Sequence, residues 1–199
     1  MISTVVRVST VAAATLWLGM LLTPPAWAGE PAEQLFVRID QVLTLLGDPD
    51  LKQPARAQER REVIRRFADD ILDFEELAHR SLGRHWEART PAEREEFVQL
   101  FREFLARLLV SSLDRYHGEK VVLVSDALDG DEATVKTLVA AKQGAIPVDF
   151  LMVRRGDRWR AGDIVISGMS LVRNFRVQFD TVIKRASYQQ LVQQVRDKQ

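Results

Sequence analysis

Residues 118–170, GEKVVLVSDALDGDEATVKTLVAAKQGAIPVDFLMVRRGDRWRAGDIVISGMS, decide the fold. Before Gly118 apolar residues recur at helical spacing; after it the period becomes 2. Lys120 to Ser125 is a β-branched run, and Asp129-Gly130-Asp131 is a turn. Ala133 to Ala141 reads as a second strand, turned back at Gln143-Gly144. Ile146, Val148, Phe150 and Met152 alternate along a third. Arg155-Gly156-Asp157 turns the chain again, and Arg158 to Ser167 is a fourth strand. Turns this short join antiparallel neighbours, so the segment predicts a four-stranded meander.

Helical patterns lie on both sides. Upstream, Thr90 is a cap, Pro91 suits the first helical position, and Glu93 completes a capping box. That helix runs to about Tyr116, with Phe97, Leu100, Phe101, Phe104, Leu105, Leu108 and Leu109 on one wide face. Earlier helices are expected over Glu30 to Leu46, about Ala55 to Ile71, and from the Asp73 cap to Gly83 as a left-handed end. Downstream, Ser170 opens a helix through Leu171, Phe175, Phe179 and Val182, and Ser187 opens a last one through Leu191 and Val195. The fold class is therefore α+β, a curved antiparallel sheet whose inner face helices cover.

The first 28 residues have a different character. Arg7 is followed by an apolar run to about Leu22, then Pro24, Pro25 and the small-x-small triplet Ala26-Trp27-Ala28. This is the pattern of a cleaved export signal, and the run is too short to span a bilayer comfortably. The mature chain is expected at or near Gly29, running to Gln199, 171 residues forming one domain with a small helical subdomain over roughly 48–89. The whole chain carries 28 basic and 28 acidic residues; removing Arg7 with the leader leaves 27 against 28, a net charge near −1. That balance predicts no general attraction to nucleic acid. The chain has no cysteine, which excludes a thiol nucleophile, thiolate metal sites and a lipid anchor on cysteine.

No catalytic constellation is visible. His79, His85 and His117 match no zinc spacing, and no glycine-rich loop or nucleophile elbow is present. Asp163 interrupts the fourth strand between Trp159, Ala161 and Val165, and is expected to point the same way as they do. It reads either as a hydrogen-bond acceptor at the sheet end or as a base with a raised pKa, with Tyr116 as the other enzymatic candidate. What the pattern does supply is apolar surface. Phe101, Phe104, Leu105 and Leu108 are expected to face Val148, Phe150, Met152 and Trp159, with Met169, Leu171 and Val172 at the margin, and this surface reads either as an ordinary packed core or as a cavity for an apolar ligand. Phe97, on the same helix face, is a candidate lining residue with them. Arg154, Arg155, Arg158 and Arg160 cluster around Gly156 as a candidate docking surface, as do Arg80, Arg84 and His85 beside a helix end.

The run from Phe74 through Gly83 to Trp86, then Thr90 to Phe97, Tyr116-His117-Gly118, Val148-Asp149-Phe150, Trp159 to Asp163, and Ile166 to Leu171 together resemble the periplasmic phospholipid-binding protein family of the Mla (maintenance of lipid asymmetry) pathway. It is also known as the toluene-tolerance or Ttg2-type auxiliary transport family. The resemblance covers essentially the whole mature chain. Gly162 departs from it, standing where an aromatic is common, and is expected to widen the space beside Asp163. The resemblance implies an α+β fold with an NTF2-like sheet and a deep pocket for glycerophospholipid tails. It implies a monomeric periplasmic shuttle between an outer-membrane lipoprotein–porin complex and an inner-membrane ABC transporter with an MCE-domain ring. It implies no catalysis, no metal and no cofactor beyond the bound phospholipid. The alternatives are a hopanoid or other polycyclic lipid as cargo, an NTF2-like enzyme using Asp163, and a cargo-free envelope adaptor.

Overall fold

A computed structural model describes residues 29–114, 116–141 and 144–197. The export-signal reading falls on 1–28, outside the described residues. The elements are α1 (Glu30–Gly47), α2 (Ala57–Ile71), α3 (Phe74–Leu82), α4 (Pro91–Leu113), β1 (Lys120–Asp129), β2 (Glu132–Ala141), β3 (Gly144–Arg155), β4 (Arg158–Ile166), β5 (Met169–Ser170), α5 (Leu171–Arg185) and α6 (Tyr188–Asp197). Single 3₁₀ turns precede α2 and follow α3. The α+β architecture is the one the sequence predicts.

The strands lie in the order β1-β2-β3-β4-β5, each antiparallel to its neighbour. The fifth strand is an addition to the expected four. It is a two-residue return of the chain onto β4, pairing Met169 with Ile166 and Ser170 with Val165. Beyond it, the rest of that edge of β4 meets the α2–α3 junction, where the Asp73 N–H donates to the Ala161 carbonyl at 3.0 Å.

The α4 start is as the sequence dictates: the Thr90 hydroxyl accepts from the Glu93 N–H, and Glu93 returns to the Thr90 N–H. Its end comes earlier than the apolar pattern suggests. The buried Arg60 guanidinium donates to the carbonyls of Leu113 (2.9 Å) and Asp114 (3.3 Å) at the end of α4, and of Leu46 (3.3 Å) at the end of α1. One side chain of α2 thus satisfies terminal carbonyls of two other helices, at the dipole ends that favour a cation. Gly83 does not take the left-handed α conformation at the end of α3; its φ of 54° and ψ of −125° are open only to glycine, and an added Cβ would lie 3.2 Å from Arg176.

The main core joins all six helices to the inner face of the sheet. Aromatic rings concentrate where α4 meets α5 and α6. Phe101 packs against Phe97, Phe104, Phe175 and Phe179 with centroids 5.2–6.2 Å apart. Tyr188 joins the cluster beside Phe97, and its hydroxyl donates to the Glu93 carbonyl at 3.0 Å.

Burial, with Glu93 and Glu96 nearby, holds the Tyr188 phenol up at about 12 against an ordinary 10. Below pH 10 both folded and unfolded chains keep this proton, and its contribution is intact. Between pH 10 and 12 the unfolded state ionises first, so stability falls by about 2–3 kcal/mol. Urea unfolding from pH 9 to 12 should show this loss, and Tyr188→Phe should flatten the slope. An unchanged slope in the variant would assign the alkaline loss elsewhere.

Candidate functional site

The inner face of the sheet follows from the register. Ala133, Val135, Thr137 and Val139 of β2 share it with Met152, Phe150, Val148 and Ile146 of β3. Ala161, Ile164 and Ile166 continue it on β4, and Val121 and Leu123 on β1. Burial along this one face is graded. At the end nearest the β3–β4 hairpin, Val135, Phe150, Met152, Trp159 and Ala161 are all buried. In the middle, Leu123, Val148 and Ile164 are half-buried. At the β2–β3 end, Ile146 is 41% exposed, Ile166 45% and Met169 70%. An apolar sheet face thus runs from a dry core out to water. Half-buried large aliphatic residues are left where a packed domain would close over them.

The residues singled out in the sequence occupy distinct parts of this arrangement. Val148, Phe150, Met152 and Trp159 all lie on the inner side of the sheet. Leu105 is buried in the core, whereas Leu108, nearer the C-terminal end of α4, is 43% exposed. Phe97, Phe101 and Phe104 contact one another and rings of α5 and α6, and belong to the same core as Phe150, Met152 and Trp159. Val172 is buried and Leu171 half-buried at the start of α5. A cleft of about 430 Å³ opens between α1, the end of α2 and the β3–β4 hairpin. Leu35, Ile71, Met152 and Trp159 line it with Arg38 and Arg158.

Asp163 is buried and acts as an acceptor three times over. One carboxylate oxygen takes the N–H groups of Ile164 (2.8 Å) and Val172 (3.0 Å); the other takes the Ser170 hydroxyl at 2.6 Å. Ser170 in turn caps α5 by accepting from the Arg173 N–H at 2.9 Å. Asp163 therefore fixes the first turn of α5 to the end of the sheet. Its direction differs from the alternation expected for β4. Ala161 pairs with Met152 but Asp163 pairs with Leu151, because Gly162 is an extra residue, a bulge, between them. Gly162 does not widen a space there either: a Cβ on it would stand 3.0 Å from Glu76 and 3.5 Å from Val153. Its lack of a side chain lets α3 approach the strand. Tyr116 packs on a different cluster with Val42, Leu46, Ile64 and Val110, so the two enzymatic candidates belong to different parts of the fold.

The arginines around Gly156 all have partners within the chain. Arg155 bridges Asp73 (2.6 Å) and Glu76 (2.9 Å), and Arg158 pairs with Asp70 at 3.5 Å. Arg160 donates to the carbonyls of Asp69 and Leu72 at the end of α2, and Arg154 pairs with Asp131 while lying 4.8 Å from the Trp159 ring. These contacts clasp the hairpin to the α2–α3 junction. Arg80 is similarly held by Glu76 and Glu132, and Arg84 and His85 by Asp180. Lys184, His85 and Arg84 keep the Asp180 carboxyl well below the usual carboxylate range. The partner acids lie many residues away from most of these arginines, and no local spacing announces them.

Among the described residues no group of three or more histidines and carboxylates is arranged to hold a metal ion. No helix among them is long and apolar enough to cross a membrane.

Comparison with known proteins bears on the family and the fold. The sequence profile of the MlaC protein family matches residues 38–197. Toluene tolerance protein ttg2D of Pseudomonas putida is 26% identical over 127 residues, which cover 62% of this chain and 59% of that protein. The chain thus matches about three-fifths of the length of this curated relative. Among solved structures, a phospholipid-binding protein from Ralstonia solanacearum, in complex with a phospholipid, aligns with a TM-score of 0.72 at 24% identity. The alignment covers 84% of this chain and 96% of that one. At that identity the likeness speaks for the fold.

Proposed function

The chain belongs to the MlaC family, and from that premise we propose that it is an exported, non-catalytic carrier that buries phospholipid acyl chains against the inner face of its sheet. The observation that carries this reading is the graded burial of that face, apolar from a closed core to an exposed rim at Ile146, Ile166 and Met169. A lipid tail crossing water exposes its methylenes at about 0.8 kcal/mol each, so on the order of 10 kcal/mol or more per chain. A carrier needs an apolar interior with an open end, while the head group stays wet. Val148, Phe150, Met152 and Trp159, with Leu105, Leu108, Met169, Leu171 and Val172 at its margins, are the proposed tail site. The Ralstonia protein's bound phospholipid and the toluene-tolerance relative both favour this class of cargo.

In this reading the protein works in the periplasm as a monomer. It carries lipid between an outer-membrane lipoprotein–porin complex and an inner-membrane ABC transporter with an MCE-domain ring, and so maintains outer-membrane lipid asymmetry. Its docking contacts are polar and modest in area, because a shuttle must leave both partners. The Arg154, Arg155, Arg158 and Arg160 cluster stays a proposed docking surface. Its internal ion pairs mean that charge reversal there must be judged beside a measurement of stability.

Mass spectrometry of lipid extracted from the purified protein tests the reading. Phospholipid in near-stoichiometric amount is expected. A polycyclic lipid would change the cargo, and the absence of any lipid would overturn the carrier. Val148→Asp, a charge set on the half-buried part of the face, should cut the extracted lipid by roughly tenfold or more while the protein stays folded. Lipid content equal to that of the unaltered protein would move the site away from β3.

A further inference from the structure

β1 is an edge of the sheet: the strand order begins with it, and among the described residues no strand pairs with its other side. An edge of ten residues turns the N–H and C=O groups of every second residue away from β2. It is also apolar and open, with Val122 52% exposed, Val124 56% and Leu128 60%. It holds no proline, and its one lysine, Lys120, stands at its end. The strand has a single irregularity. Leu123 pairs with Thr137 and Ser125 with Lys136, so Val124 is an extra residue between them. Before it, Val121 and Leu123 share the inner face with Val139 and Thr137; after it, Asp126 and Leu128 share that face with Val135 and Ala133. Lys120, Val122, Ser125, Ala127 and Asp129 lie on the outer face.

We propose that β1 pairs antiparallel with β1 of a second copy of this chain, about a two-fold axis between Val124 and Ser125. Such an interface uses one patch twice, so the strand must be complementary to itself. The bulge makes it so. In this register Val121 meets Leu128 on the inner face, Val122 meets Ala127 on the outer face, and Lys120 meets Asp129, each pairing occurring twice. Without the extra residue the same register would set inner side chains against outer ones. Lys120 and Asp129 are both exposed, and opposite charges directly across a strand pair attract. A slip by two residues puts Lys120 opposite Ala127 or beyond the strand, and loses both ion pairs. Leu123 against Asp126 is the one mismatch, and there the Asp126 carboxylate is turned to the Gly29 N–H, 2.6 Å away at the start of α1. A single strand pair is well below the about 1,600 Å² of a standard interface, so the association is weak and reversible. The monomer of the carrier reading is its dilute form, and the dimer takes an open apolar edge out of water.

Sedimentation equilibrium of the protein purified from cells that make the whole chain, from micromolar to millimolar concentration, is expected to show a monomer–dimer equilibrium. Lys120→Asp alone and Asp129→Lys alone should each weaken it roughly tenfold, because each sets like charges opposite one another twice. An equimolar mixture of the two variants should associate at least as well as the unaltered protein, since the substitutions complement each other across the axis. Both positions are exposed, so thermal unfolding of each variant should be unchanged. A monomer at every concentration would overturn the proposal and leave the edge to an extended segment of another protein. A dimer indifferent to both substitutions, or a mixture no stronger than its components, would place the contact elsewhere and overturn it equally. Lipid content is read separately, so failure here leaves the carrier reading standing.

Discussion

Phe101→Ala is expected to lower the free energy of unfolding by about 3–5 kcal/mol, the range for removing a buried aromatic side chain. Phe101 is 1% exposed and meets four other rings, two of them edge-on, from Phe175 and Phe179. Edge-to-face and offset pairs add about 0.5–1.5 kcal/mol each beyond the area they bury. The void left by the variant would sit among Phe97, Phe104, Phe175 and Phe179, which are fixed on two helices and have little freedom to collapse into it. Phe104 is only half-buried, so Phe104→Ala should cost roughly half as much. Urea titration of both variants checks this ordering. A Phe101→Ala loss below about 1 kcal/mol would mean that α5 closes onto α4 without it. The result also bears on function, because α5 begins beside Asp163 and the margin of the proposed tail site. A loosened α4–α5 contact should then reduce retained lipid even in molecules that remain folded.

The features legible in the sequence are those set by neighbours a few residues apart. The Thr90–Glu93 box, the Asp73 and Ser170 caps and the alternation along β3 are local, and all appear in the structure. The end of α4 was not legible, because it is set by Arg60, more than fifty residues earlier. Nor was the direction of Asp163: period 2 holds only while every residue is paired, and the bulge at Gly162 breaks it. Periodicity shows which face of a helix is apolar but not what that face meets. The rings of α4 could therefore be assigned to the interior, but their partners on α5 could not. The hairpin arginines illustrate the same limit. Four positive charges in seven residues suggest an outward field, yet Arg154, Arg155 and Arg158 pair with acids of the β1–β2 turn, the start of α3 and α2, and Arg160 donates to carbonyls at the end of α2. The candidate site was legible as a set of apolar positions on β3 and β4. Its graded exposure depends on where the helices stop covering the sheet, which is a tertiary fact.

Asp163→Ala is expected to destabilise the protein by about 2–4 kcal/mol. The carboxylate is 5% exposed and satisfies the N–H groups of Ile164 and Val172 and the hydroxyl of Ser170. Removing it strands donors in a site closed to water, and each buried unsatisfied group costs about 1–3 kcal/mol. Ser170 can turn its hydroxyl to another acceptor, so the loss falls short of three full penalties. Asp163→Asn should cost less. Its carbonyl oxygen can keep the two N–H donors, and its amide can donate to the Ser170 oxygen once that hydroxyl reverses. But the Ser170 oxygen already accepts from Arg173, so the exchange weakens the cap of α5. A two-step order of stability, native above Asn above Ala, is therefore the signature of an anchor. Lipid content should follow the same order only weakly in the Asn variant, because the apolar face is untouched. A base acting on a substrate would behave differently: Asn would keep the fold and its stability while abolishing turnover of some small molecule. Denaturant unfolding of both variants, with lipid quantified in the folded fraction, distinguishes the two. Full stability in Asp163→Asn would remove the structural account of this residue and make a search for catalysis at the start of α5 worthwhile.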